Sequence, residues 1–104
     1  VIRTIRQKAQ KLEGVTAIYG MGSYFRGEPF NDVDLVVVVR RSLDLATLGA
    51  RIRTALLPLS DIVGRRIDIT IFTESEFAAE PLRDMASLVP IVTAARPASP
   101  NPPA

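Results

Sequence analysis

Asp32 and Asp34 stand one residue apart at the head of an unbroken apolar run, Leu35 to Val39. On a strand, that spacing puts both carboxylates on one face. Two carboxylates side by side repel, so keeping both ionised without a cation is costly. No Lys or Arg lies close on the same run, which favours a bound divalent ion. Hard oxygen ligands that leave room for water and a substrate phosphate suit Mg²⁺. Asp68, within Arg66-Ile67-Asp68-Ile69, can add a third carboxylate from another strand. The plainer reading is a turn at Asn31 and Asp32 followed by a solvated Asp34.

Just upstream lies Gly20-Met21-Gly22-Ser23. Gly22 lets a backbone come close to a ligand, and the N–H groups and hydroxyl at Ser23 can cradle phosphate oxygens. The Gly-Lys-Ser/Thr ending of a Walker-type loop is absent. Arg26 can reach a triphosphate or brace the loop, and Glu28 can pair with Arg26 or face solvent. Tyr24 and Phe25 read as packing residues, with base stacking as the alternative.

Composition narrows the chemistry. The chain has neither cysteine nor histidine, which removes disulfides, thiolate zinc and histidine-based triads. Catalysis must then use carboxylates, hydroxyls, Lys or Arg, backbone N–H groups or an oxygen-held metal. A net charge of +2 is too small to argue for direct nucleic-acid binding. No apolar run reaches the length of a membrane span, and no signal-peptide pattern opens the sequence, so a cytoplasmic protein is expected. Hydrophobic residues make up 47% and charged residues 23% of 104, the balance of one ordinary globular domain. We place that domain at residues 1–96. Residues 97–104 hold four prolines and no periodicity, and read as a disordered tail.

The positioning elements follow from periodicity. Ile2, Ile5, Ala9 and Leu12 mark an amphipathic helix over 2–13, closed by Gly14. Its basic side reads as a solvated face. Val15 to Tyr19 is a short strand that breaks at Gly20. A turn-rich connection over 20–31 holds one helical turn near Ser23 to Arg26. Val33 to Val39 is apolar on both faces, as befits a central strand. A helix from Leu43 to Leu57 follows, with Asp44 in its first turn, and Pro58 ends it. Leu59 to Arg65 reads as a loop, and Arg66 to Phe72 as a third strand. Thr73 and Glu76 have the spacing of a capping box for a helix over 74–79. A last helix runs from Pro81 to Ala94, interrupted or ended by Pro90.

Connection lengths then set the topology. About a dozen residues join the first two strands, too few for a comfortable crossover, so they run antiparallel. A full helix joins the second and third, so they run parallel with a right-handed crossover. The glycine-serine turn and all three aspartates therefore arrive at one edge of the sheet. The expected fold class is α+β, a small mixed sheet of about three strands flanked by helices.

Taken together, Gly22-Ser23, Arg26-Gly27-Glu28, Asp32-Val33-Asp34 and the strand-borne Asp68 resemble the minimal nucleotidyltransferase family of the DNA polymerase beta-like superfamily. The resemblance spans roughly residues 1–95. Phe25 departs from the small residue common at its position, and Asn31 from the serine common before the first aspartate. The resemblance implies a polymerase beta-like nucleotidyltransferase fold and transfer of a nucleotidyl group, AMP from ATP, to a hydroxyl. It implies two Mg²⁺ ions on Asp32, Asp34 and Asp68, with Asp68 also the base toward the acceptor. Gly22, Ser23 and Arg26 would hold the nucleotide. Small members of the family act as antitoxins beside a HEPN-type toxin, and some adenylylate a tyrosine of that toxin. The chain has no room for a separate acceptor domain, so a partner protein or a second subunit would bring the hydroxyl. Two other readings stand beside this one: a non-catalytic module that neutralises its partner by contact, and a small-molecule nucleotidyltransferase.

Overall fold

Asp32–Val39 (β2) is the strand on which the molecule is built. Its residues Leu35 to Val39 are buried on both faces. In the computed structural model, which describes residues 2–41, 44–83 and 85–93, β2 lies inside a four-stranded sheet. Val15–Met21 (β1) flanks it antiparallel, and Arg66–Thr73 (β3) flanks it parallel. Val89–Val92 (β4) pairs antiparallel with the far side of β1, giving the order β3-β2-β1-β4.

Helices Ile2–Ala9 (α1), Leu45–Leu56 (α2) and Leu59–Val63 (α3) serve one face. Val33, Leu35, Val37 and Val39 point into that layer, with Ile18 and Ile67 from the neighbouring strands. Ile5, Ile52, Leu56 and Leu59 meet them, each fully buried. Burying a side chain of that size contributes on the order of 1.5–3 kcal/mol, so this layer holds the domain together. Arg6 ties α1 to the sheet rim by donating its Nε–H to the Ile91 carbonyl at 2.8 Å.

The other face is closed at one end only. Glu74–Ala78 (α4) begins in the expected capping box, with Thr73 and Glu76 each bonding the other's backbone N–H. It sets Phe77 in a stack on Tyr19, ring centroids 5.1 Å apart, with Phe72 alongside. That cover lies over Val36 and Val38. The opposite end of the same face carries the aspartates.

Several expectations change. The sheet gains a strand where a last helix was expected: over its described part the segment holds a 3-10 turn at Met85–Ser87 and then β4. Val89, Ile91 and Val92 favour extended backbone, and Pro90, which cannot donate to a ladder, is tolerated on an edge strand. Residues 59–63 form a short helix closed by Gly64 at φ 74°, where a loop was expected. α1 stops at Ala9, short of residue 13, and loosens into tighter turns from Lys8 onward. β1 runs through Gly20 to Met21 because the Phe25 ring packs where a side chain at Gly20 would sit. Asp44 caps α2 from outside its first turn, accepting the Thr47 N–H at 3.1 Å. The expected start of that helix at Leu43 and the tail at 97–104 lie outside the described residues. Among the described residues no helix is long and apolar enough to cross a membrane.

Candidate functional site

Strand parity and register bring the carboxylates together. Asp32 and Asp34 alternate with Val33, which points into the helix layer, so both face the open side. Parallel pairing sets Asp34 opposite Asp68 and Asp32 opposite Arg66. On β1, Met21 stands opposite Asp34, so the chain leaves the sheet toward Gly22 beside that carboxylate.

Gly22 has φ 90° and ψ −172°, a conformation essentially reserved for glycine. A Cβ at Gly22 would lie 3.0 Å from Asp34 Oδ2. The turn therefore passes the carboxylate with no room for a side chain between them. Ser23–Arg26 then forms a single 3-10 turn that ends at Gly27, φ 73°. Arg26 donates to Glu28 Oε1 at 3.0 Å and to Ser23 Oγ at 3.3 Å, bracing the turn. Tyr24 meets Phe25 and Phe30 edge-to-face, at 4.9 and 4.7 Å, and all three pack against the core. They anchor the turn as packing residues.

Burial and the crowding of like charges together set the electrostatics. The Asp34 carboxyl is raised above its usual range, first by burial, then by the charges of Asp68 and Asp32 and a hydrogen bond with Asp68; Arg66 opposes this weakly. Arg66 is the residue that sequence reasoning missed. From β3 its Nε lies 3.0 Å from Asp68 Oδ1 and its second nitrogen donates to Asp68 Oδ2 at 3.2 Å, while Asp32 Oδ1 is 4.0 Å away. The absence of a cation on β2 itself had favoured a metal, yet the adjacent strand supplies one. Parity could have found it: Arg66 and Asp68 are two apart on one strand and so share a face.

The donor set, three carboxylates beside a hydroxyl-bearing turn, is of the hard oxygen type that Mg²⁺ takes. As they stand, however, no group of three or more acidic, His or Cys residues among the described ones is set around a common ion position. Both oxygens of Asp68 face the Arg66 fork instead. One open hollow lies elsewhere, between α2 and β3 around Leu45, Arg53 and Ile71, and the aspartates do not line it.

Comparison with known proteins agrees with the fold. The family model described as a nucleotidyltransferase domain matches residues 2–92. A crystal structure of a Sulfolobus solfataricus protein, itself assigned to the nucleotidyltransferases, superposes with a TM-score of 0.59 at 13% identity. The match covers 89% of this chain and 77% of the other, and at that identity it speaks for the fold alone. No curated protein matches the sequence.

Proposed function

Because the chain belongs to the nucleotidyltransferase domain family, we propose that Asp32, Asp34, Asp68 and the Gly22–Ser23 turn form a nucleotidyl-transfer site using ATP and Mg²⁺. The observation that carries this reading is the close approach of the two halves. A Cβ at Gly22 would fall 3.0 Å from Asp34 Oδ2, and Asp34 stands opposite Asp68. A phosphate held at the turn would thus lie beside the carboxylates that hold a cation. When bound, the divalent ions supply charge neutralisation at the attacking and leaving oxygens of an in-line displacement.

The chain's own residues do the rest. Asp32 and Asp34 hold the ions from β2 and Asp68 from β3. Ser23 and the N–H groups of its turn receive phosphate oxygens, with Arg26 fixing the Ser23 hydroxyl. Asp68, on the edge strand, faces the side from which an acceptor hydroxyl arrives and takes its proton. In this reading the acceptor is a tyrosine of a partner protein, and the chain acts as the antitoxin of a HEPN-type toxin pair, as its resemblance to the small family members implies.

The experiment is transfer of label from ATP to a co-purified partner, with Asp32→Ala and Asp34→Ala as controls. Labelling that the two variants abolish supports the reading, and equal labelling by variant and wild type removes it. A second reading, neutralisation by contact without catalysis, is favoured by the Arg66 fork, which already satisfies Asp68. Full neutralisation of the partner without any labelling would select it.

A further inference from the structure

Arg66, Asp68, Asp32 and Asp34 form a square: two residues on β2, two on β3, all facing one way. Three corners are anionic and one is cationic. Resting on the reading above, we propose that Arg66 is an internal cation that holds Asp68 until a divalent ion displaces it, and so sets how tightly the nucleotide-free protein takes metal.

The geometry makes the two states exclusive. The guanidinium engages both oxygens of Asp68, at 3.0 and 3.2 Å, in the paired fork that suits a carboxylate. An ion that uses Asp68 must take an oxygen away from that fork. Arg66 can yield. Its side chain is 73% exposed, and among the described residues β3 has no strand beyond it, so the guanidinium can turn into solvent without disturbing the core. It also cannot yield by losing its charge, since a guanidinium stays protonated at any working pH. Competition is thus between two cations for one carboxylate, and it does not depend on titrating Arg66. The charge count points the same way. Three carboxylates against one guanidinium leave a surplus negative charge at the site, which attracts a divalent ion while Arg66 holds the oxygen the ion needs.

The test is Mn²⁺ binding to the nucleotide-free protein, read from the electron paramagnetic signal of free Mn²⁺, for wild type, Arg66→Gln and Arg66→Met. The second variant keeps an apolar stem along β3, and circular dichroism confirms that each variant is folded. An exposed pair of this kind is modest in strength, so either variant should bind Mn²⁺ roughly threefold to tenfold more tightly than wild type. The gap should narrow as salt rises and screens the Arg66–Asp68 pair, which a purely structural role for Arg66 does not predict. Equal or weaker Mn²⁺ binding by both variants overturns the proposal while leaving the metal site intact. Absence of Mn²⁺ binding in wild type and variants alike overturns it together with the metal part of the proposed function.

Discussion

Asp34 and Asp68 are direct cross-strand partners in a parallel ladder, two acids facing each other on the half-open side of the sheet. Like charges placed this way destabilise a sheet. The fold carries the penalty next to one of its most buried strands, where an apolar pair would pack better. A fold that keeps such a pair is expected to use it.

Replacing Asp34 by Asn should therefore stabilise the folded chain while removing nucleotidyl transfer. Solvent screening at this half-exposed position limits the gain to a few tenths of a kcal/mol. Urea unfolding in the presence of a chelator, beside a transfer assay, checks both halves. A variant that is less stable than wild type would show that Asp34 holds the fold together and carries no repulsion.

The same carboxyl gives a pH signature with a defined sign. Its value is raised in the folded state by burial first and then by Asp68 and Asp32, from an ordinary 3.8. The folded protein thus holds a proton there more tightly than the unfolded chain does. The penalty is absent below the ordinary value, where both states are protonated. It grows as pH rises through the raised value, and stability falls with it. The stability gap between Asp34→Asn and wild type should consequently open as pH rises across that window and stay constant above it. Parallel unfolding curves in chelator at several pH values measure this. Transfer activity should move the opposite way, lost as pH falls and Asp34 is protonated.

Gly22→Ala should damage the turn and the acid together. The backbone conformation there costs a non-glycine residue roughly 1–3 kcal/mol, and the new methyl would press on Asp34 Oδ2 at 3.0 Å. We expect a lower melting temperature and nucleotide affinity reduced by about tenfold or more, since the turn N–H groups are moved off the phosphate. Gly20→Ala separates the two effects. Its methyl would meet the Phe25 ring at 2.5 Å, a steric overlap that typically costs about 1–3 kcal/mol, without touching a carboxylate. Its loss should appear mainly in stability.

Thr73→Ala removes the capping box of α4 and should cost about 1 kcal/mol. It lies at the end of β3 remote from Asp68, so nucleotide binding should be unchanged. Thermal unfolding and a binding titration on the same sample check this.

These residues also show where sequence reasoning reached and where it stopped. Asp32, Asp34 and Asp68 could be placed on one sheet edge because side-chain parity on a strand is strict and the connection lengths fixed strand direction. The capping box was legible because Thr73 and Glu76 act within one turn. Val89–Val92 was not, because four residues containing a proline carry too little periodicity to outvote the surrounding helical pattern. The short helix at Leu59–Val63 was missed for a like reason: a single turn has no repeat, and only burial of Leu59 in the core makes it visible. Arg66 was overlooked because the search for a counter-charge stopped at β2, although parity on β3 already sets Arg66 and Asp68 on one face.

The central claim is that the glycine-serine turn and the three aspartates are one nucleotide–metal site, and a calorimetric titration tests it most directly. A non-hydrolysable ATP analogue is added to wild type and to Asp34→Asn, each with Mg²⁺ and with chelator. Binding by wild type in Mg²⁺, lost in chelator and lost in the variant, is the predicted result. Binding that is indifferent to Mg²⁺ and unchanged by Asp34→Asn would contradict it.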